Sequence, residues 1–243
     1  MDKLSPGPGS SFATTRWTMV CAASGVPDSA SREALSQLCQ TYWLPLYAYV
    51  RRRGIPVTDA QDLTQAFFTC LLEKQTLRSL ERAGGRFRAF LLTCLKNFLH
   101  NERDRARAQK RGGGIPDLSL DFAAAESKVQ IDPADPHTPE LYFERQWALC
   151  LLESTQARLR TEYASSDRQP WYARLSPILT GGGSASYREI ADALGATEGA
   201  VKVAVHRMRQ RFKEILREEI SQTVASPADI DAEVLDLFAA LKR

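Results

Sequence analysis

The chain has 243 residues, of which 44% are hydrophobic and 25% are charged. This composition is typical of a folded globular protein and excludes a low-complexity or wholly disordered chain. The formal net charge of +3 is too small to identify a nucleic-acid-binding protein, so only local clustering of cations could make that case. No apolar run approaches the roughly 20 residues that a membrane-spanning helix needs, and the start lacks an apolar signal segment. We therefore expect a cytoplasmic protein with no membrane partner.

The cysteines and histidines predict neither disulfides nor a metal site. The five cysteines are far apart and form no CxxC pair, so we interpret them as buried, reduced thiols. The three histidines are scattered, with no metal-binding spacing. Asp59 and Asp62 could be general acid–base groups or Mg²⁺ ligands, but the sequence positions no further group to complete such a site. We expect no metal, no cofactor, no catalytic residue and no enzyme activity.

The first half of the chain predicts a helical domain over residues 29–111, after an extension. Residues 1–28 are rich in Pro, Gly and Ser and are expected to be partly disordered, with a short helix from Arg16 to Ala23. A first long helix begins near Ser29 and stops at Gly54, and Pro45 should kink or split it. A second helix follows Pro56, with Thr58 as its N-cap. A third runs from about Arg88 into a basic tail that ends at Arg111.

The second half predicts a further helical domain over residues 139–222, joined to the first by a flexible acidic linker over 112–138. The linker has glycines, prolines and weak periodicity. A last amphipathic helix occupies 223–243, with Ser226 as N-cap and Pro227 at the first helical position. Its apolar face either packs on the second domain or binds a regulator, and we favour packing. No strand is indicated, so the predicted fold is all-α, with two small helical domains.

The strongest motif is a predicted helix-turn-helix over "SYREIADALGATEGAVKVAVHRMRQRF". Ala191 is small where two helices cross, Gly195 permits a tight turn, and Thr197 can cap the second helix. Val201, Val205, Met208, Phe212 and Ile215 form one apolar face. Cations and polar groups on the other faces predict DNA contacts, at Thr197, Glu198, Lys202, Val203, His206, Arg207, Arg209 and Arg211. The alternative is an ordinary helical hairpin with a solvated charged face.

The third helix carries more cations than solubility requires, which indicates a second nucleic-acid contact. Phe87, Phe90 and Phe98 lie among them and could stack on unpaired bases. Phe90 and Phe98 are more simply explained as core residues, whereas for Phe87 both interpretations stay open.

Three segments, in order, resemble the bacterial RNA polymerase sigma factors of the ECF (extracytoplasmic function) group. The region-two signature of that family, DAEDLVQ, is similar to DAQDLTQAFF here, and the segment that helps to melt and hold the minus-ten element resembles FRAFLLTCLKNFLHNERDRARAQKR. Region four, which reads the minus-thirty-five element, resembles the predicted helix-turn-helix and its flanks. The resemblance covers about residues 29–222.

The resemblance implies that the partners are promoter DNA and core RNA polymerase, through its β′ clamp helices and β flap. Asp59, Asp62 and Gln65 would contact polymerase, and the loop from Ser79 to Arg86 would hold a flipped minus-ten base. The residues implied near melted DNA are Arg86, Arg88, Asn97, Arg103 and Arg107. The acidic linker would thread toward the RNA exit path.

The docking segment departs from the family pattern, because Gln61 and Ala66 stand where glutamates are usual. A phosphate on Thr64 would add about −1.5 to −2 of charge and could restore attraction to a basic clamp. An anti-sigma protein or a Ser/Thr kinase would then be a further partner. The alternative is that Thr64 is merely an exposed helical residue.

Two rival functions stay open. A stand-alone helix-turn-helix transcriptional regulator should bind a specific duplex by itself, with a steep salt dependence, whereas a sigma factor should need core polymerase first. A nuclease using Asp59 and Asp62 is a more distant alternative.

Overall fold

The computed structural model describes residue 16 and residues 29–73, 86–108, 120–129, 136–164, 168–179, 181 and 185–242, except for the side chains of 31, 32, 72, 73 and 104–108. Within these ranges the helices are α1 (Ser29–Arg52), α2 (Val57–Glu73), α3 (Phe87–Ala108), α4 (Phe122–Lys128), α5 (Pro139–Glu162), α6 (Gln169–Leu179), α7 (Tyr187–Leu194), α8 (Glu198–Ser221) and α9 (Ala228–Lys242). An isolated antiparallel bridge joins Arg86 and Val224, and the described residues contain no longer strand. The all-α prediction is confirmed.

Two of the predicted helix boundaries need correction. Pro45 lies inside a continuous α1 and does not split it. α2 begins at Val57, before the predicted cap Thr58, because the Ala60 N–H already donates to the Pro56 carbonyl oxygen at 2.9 Å. The predicted helix from Arg16 to Ala23 lies outside the described residues, apart from Arg16, whose N–H donates to Gln222 Oε1 at 3.1 Å.

The larger of the two hydrophobic clusters joins α1, α2 and α3 to elements from the end of the chain. Tyr42, Phe68 and Leu91 are buried at its centre, and Trp147 from α5 donates its Nε1–H to the Tyr42 hydroxyl at 3.1 Å. The cluster also contains Leu216 and Ile220 from the end of α8, Val224 from the segment after it, and Leu237 from α9.

The smaller cluster lies beneath the helix-turn-helix. It contains Leu159 of α5, Leu175 of α6, Ile190 of α7 and the apolar face of α8 from Val201 to Ile215. α5 and α8 therefore contribute to both clusters. The predicted domain boundary at 112–138 does not separate the two cores, since apolar residues of α5 and the end of α8 complete the first one.

Part of the predicted flexible linker is ordered as α4, which packs against α1. Asp121 caps this helix by accepting the Ala124 N–H at 3.0 Å, and Phe122 makes an edge contact with the Tyr47 ring at 5.3 Å between centroids. Glu126 accepts hydrogen bonds from the Tyr47 hydroxyl at 2.5 Å and from Arg51 Nε at 2.9 Å. The linker prediction is corrected for 120–129, because these contacts fix the segment on α1.

None of the helices in the described ranges has an apolar stretch long enough to cross a membrane.

Candidate nucleic-acid and polymerase interface

The helix-turn-helix is held by capping interactions, of which the sequence predicts those at Gly195 and Thr197. Ser186 and Glu189 form a reciprocal capping box at the start of α7, in which the Ser186 N–H donates to Glu189 Oε2 at 2.7 Å. Gly195 ends α7 in the left-handed conformation with φ of 60°, which favours glycine. Thr197 then caps α8 by accepting the Ala200 N–H at 3.2 Å. The hydroxyl oxygen of Thr197, which we predicted to contact DNA, thus has a structural role.

The turn presents a polar and basic face of α8 to solvent. Val201, Val205 and Met208 are buried beneath it. The residues that share the outer surface are exposed, namely Glu198, Lys202, Val203, His206, Arg207 and Arg209. Val203 adds an apolar group, 49% exposed, of the kind that can contact a thymine methyl. An exposed row of cations and one apolar residue on the first half of the second helix is the arrangement with which this motif reads a major groove.

Arg211 is the exception among the predicted DNA contacts of α8. Its guanidinium faces Glu162 at the end of α5, with hydrogen bonds of 2.8 and 2.7 Å to the two carboxylate oxygens. Glu214 and Glu218 also pair with it, each at 3.2 Å. The prediction of a phosphate contact at Arg211 is corrected, because its donors are used to join α8 to α5.

On α3, two of the implied DNA contacts are exposed. Asn97 and Arg103 face solvent, and Arg103 lines a cleft of about 410 Å³ between α1, α2 and α3. The side chain of Arg107 and the residues 79–85 of the implied base-holding loop lie outside the described residues. The second half of α3 thus offers a polar surface for nucleic acid.

Arg86 and Arg88, at the start of α3, face the protein and not solvent. Arg88 is only 7% exposed and donates to Glu233 of α9 at 2.7 and 3.1 Å. It also pairs with Glu144 of α5 and lies over the Trp147 ring, 4.5 Å from the centroid. Arg86 pairs with Glu233 at 3.0 Å. In this conformation carboxylates occupy both guanidinium groups, and the DNA contacts that the resemblance implies for the two arginines stay predictions.

The acidic partners of this arginine pair are not evident in the sequence. Burial acts to lower the pKa of Arg88, but the hydrogen bonds and charges of Glu233, Glu144 and Asp236 raise it on balance. Carboxylates recur along the last helix in the sequence, and this pattern could have indicated an acidic surface. No local sequence pattern shows, however, that these carboxylates pair with arginines some 145 positions earlier in the chain.

The aromatic residues of α3 are core residues. Phe87 and Phe90 are buried, and Phe87 makes an edge contact with Tyr42 at 5.0 Å between centroids. Phe98 is partly buried and packs on Phe67 of α2, with 5.7 Å between centroids. The open question for Phe87 is settled in favour of the core, since its ring contacts α1.

The predicted polymerase-docking residues lie on the outer surface of α2. Asp59 and Asp62 are exposed and Gln65 is half-buried. Among the described residues, no three His, Cys, Asp or Glu side chains are grouped so that they could hold a metal ion. An exposed carboxylate pair without a third ligand can bind a basic protein surface.

Thr64 does not have the exposed position expected of a phosphorylation site. Its side chain is fully buried, and its hydroxyl donates to the Ala60 carbonyl oxygen at 2.7 Å. The expectation of an exposed residue is wrong, because this position of α2 faces the core. A kinase would reach the hydroxyl only after α2 had moved.

Cys39 is buried, as predicted, whereas Cys70, Cys94 and Cys150 are only partly buried. Cys39, Cys70, Cys94 and Cys150 are free. Burial raises the pKa of Cys150 to about 12 and that of Cys94 to about 11, so these sulfurs stay protonated at neutral pH. Cys21 lies outside the described residues.

Comparison with known proteins finds similarity to a sigma factor. The chain is 26% identical over 211 residues to the ECF RNA polymerase sigma factor SigE of Mycolicibacterium smegmatis, an alignment that covers 86% of this chain and 71% of that protein. This chain is a relative of the ECF RNA polymerase sigma factors. No family model matches the sequence, and no solved structure matches it.

Proposed function

We propose that this sigma factor docks on core RNA polymerase through the outer face of α2, reads the minus-thirty-five element with the first half of α8, and contacts the melted minus-ten element with α3. The exposed row at Lys202, His206, Arg207 and Arg209, set on a fully capped helix-turn-helix, carries the proposal. The likeness to the mycobacterial SigE protein supports the polymerase partner.

Duplex opening follows from capture of unpaired bases. Unstacking a base costs a few kcal/mol, and contacts made only with the extruded strand offset this cost. Asn97 and Arg103 are exposed, which supports assigning such contacts to them. Docking through α2 supplies further binding free energy, which is why a sigma factor needs core polymerase before it opens DNA.

Run-off transcription tests the proposal. Purified chain and core polymerase, offered genomic fragments, should start transcripts that core polymerase alone does not start. Lys202→Ala should reduce minus-thirty-five-dependent transcription about tenfold, since a contact of this kind contributes about 1–3 kcal/mol. Lys213→Ala is the matched control, because Lys213 is equally exposed but lies on the second half of α8. Specific duplex binding without polymerase would instead indicate the stand-alone regulator.

A further inference from the structure

The end of the chain is fastened to the start of α3 by main-chain and side-chain contacts together. The Phe87 N–H donates to the Thr223 carbonyl oxygen at 2.9 Å, beside the bridge between Arg86 and Val224. Val224 and Leu237 are fully buried. Residues 223–242, here called the C-terminal clasp, therefore cover this end of α3.

The clasp covers α3 with carboxylates placed on guanidinium groups. Glu233, which is fully buried, binds Arg88 through both oxygens at 2.7 and 3.1 Å and Arg86 at 3.0 Å. Asp236 binds Arg88 at 2.8 Å and also pairs with Arg86. A forked carboxylate uses the same donors, in the same bidentate geometry, that a DNA phosphate would use.

Buried ion pairs are not the most stabilising way to fix a helix. Well-packed apolar residues often replace them without loss of stability, because each charge loses its hydration. The apolar face of α9 already has Leu237 in the core. The charged cluster thus gives the clasp a property that packing alone would lack, namely sensitivity to competing anions.

With the C-terminal clasp in place, the distance between the two proposed DNA-binding surfaces is also too short for them to reach both promoter elements. Sites centred near minus ten and minus thirty-five are about 25 base pairs apart, or about 85 Å at about 3.4 Å per base pair. α8 runs only about 29 Å from Ser221, just before the bridge to α3, back to Lys202, and Arg103 is about 23 Å further along α3 from Arg88, at about 1.5 Å per residue. Even end to end, these helices do not span both elements, so the clasped form must open.

We propose that the C-terminal clasp is an autoinhibitory DNA mimic, in which Glu233 and Asp236 occupy a phosphate-binding site at Arg86 and Arg88 until promoter DNA on the polymerase displaces them. The proposal rests on the sigma-factor function. It assigns to the last helix the task of keeping the arginine pair from DNA in the free protein.

The test uses the full-length double variant Glu233→Gln with Asp236→Asn. Asp231→Asn is the matched control, because Asp231 lies on the same helix but pairs with the exposed Arg217, at 2.5 Å. Asp236→Asn alone is a milder variant that leaves Glu233 in place, since the Asp236 side chain is 45% exposed and its loss should not prevent folding.

Three measurements report whether the C-terminal clasp is released. Hydrogen exchange at the Phe87 amide should be at least about tenfold faster in the double variant, since the bond to Thr223 is released more often. Affinity for a single-stranded minus-ten oligonucleotide should rise about tenfold. The slope of log affinity against log salt should steepen by about 0.7 for each arginine released. Asp236→Asn should shift each quantity in the same direction by less, and Asp231→Asn should match the wild type.

The outcomes separate the two proposals. Unchanged affinity and salt slope in a folded variant whose Phe87 amide exchanges faster would overturn the mimicry, and unchanged exchange in both variants would overturn the clasp. If no variant starts transcripts with core polymerase, the sigma-factor function fails. The exchange and oligonucleotide measurements need no polymerase and would still report the masking.

Discussion

Arg209 and Arg211 are two positions apart on α8, but their surroundings give them different tasks. Arg209 is exposed on the surface that carries Lys202. Arg211 is turned toward the end of α5 and paired with Glu162. Burial and pairing therefore divide cations that look equivalent in the sequence into binding and structural residues.

The two arginines should respond in opposite ways to substitution. Arg209→Ala should reduce the salt slope of duplex binding by about 0.9, the contribution of one lost phosphate contact, and leave the urea midpoint unchanged. Arg211→Ala should lower the urea midpoint and leave the slope unchanged, because it releases α8 from α5. Equal salt slopes in the two variants would contradict the assignment.

A second prediction concerns the buried side chain of Thr64. Thr64→Glu would place a carboxylate where the side chain is fully buried, so it should lower the free energy of unfolding by several kcal/mol. Thr64→Val, which keeps the shape, is the control and should cost about 1 kcal/mol. Urea unfolding of both variants measures the difference. A Thr64→Glu protein of wild-type stability that binds polymerase more tightly would show that α2 exposes this residue in solution.

Among the elements, those fixed by local signals were predictable and those fixed by distant contacts were not. The start of α7 follows from Ser186, and the turn between α7 and α8 follows from Gly195 and Thr197, each of which acts within a few residues. α4 was missed because its stabilising partners, Tyr47 and Arg51, precede Glu126 by more than seventy residues. The packing of α9 on α5 and α8, which belong to the predicted second domain, agrees with the favoured prediction, but the ion pairs of α9 with Arg86 and Arg88 were missed for the same reason.

The attachment of α4 should depend on pH. Burial acts to raise the pKa of Glu126, but hydrogen bonds from Tyr47 and Arg51 outweigh it and leave the pKa below its ordinary value. A carboxyl group whose pKa is lowered by folding stabilises the fold at pH values above its unfolded-state pKa of about 4.3. This contribution is lost as the pH falls through the folded-state pKa. Urea midpoints measured from pH 6 to pH 3 should therefore fall more steeply in the wild type than in Glu126→Gln. Parallel curves would mean that Glu126 does not hold the helix.

For the molecule as a whole, α5 and α8 join two clusters that the sequence assigned to separate domains. Trp147 and Leu159 are both on α5 but lie in different clusters. The same is true of Leu216 and Ile215 on α8. The free protein should consequently unfold as one unit, since neither cluster can lose these helices alone.

Cooperative unfolding can be tested with Leu216→Ala. Removing this buried side chain from the first cluster should cost about 2–5 kcal/mol. The urea midpoint should fall equally at the Ile190 amide, in the second cluster, and at the Phe143 amide, in the first, when both are followed by NMR. A variant in which the Ile190 signal keeps its wild-type midpoint would show that the two clusters unfold independently.

The carboxylates on Arg86 and Arg88 also affect how the free chain would search a cell. A chromosome offers on the order of 10⁶–10⁹ non-specific sites to any protein with uncovered cations, and attraction to phosphate is independent of base sequence. With the arginine pair at the start of α3 already neutralised from within, the unassembled chain would spend less time on random chromosomal DNA. More of it would remain in solution, available to meet a polymerase.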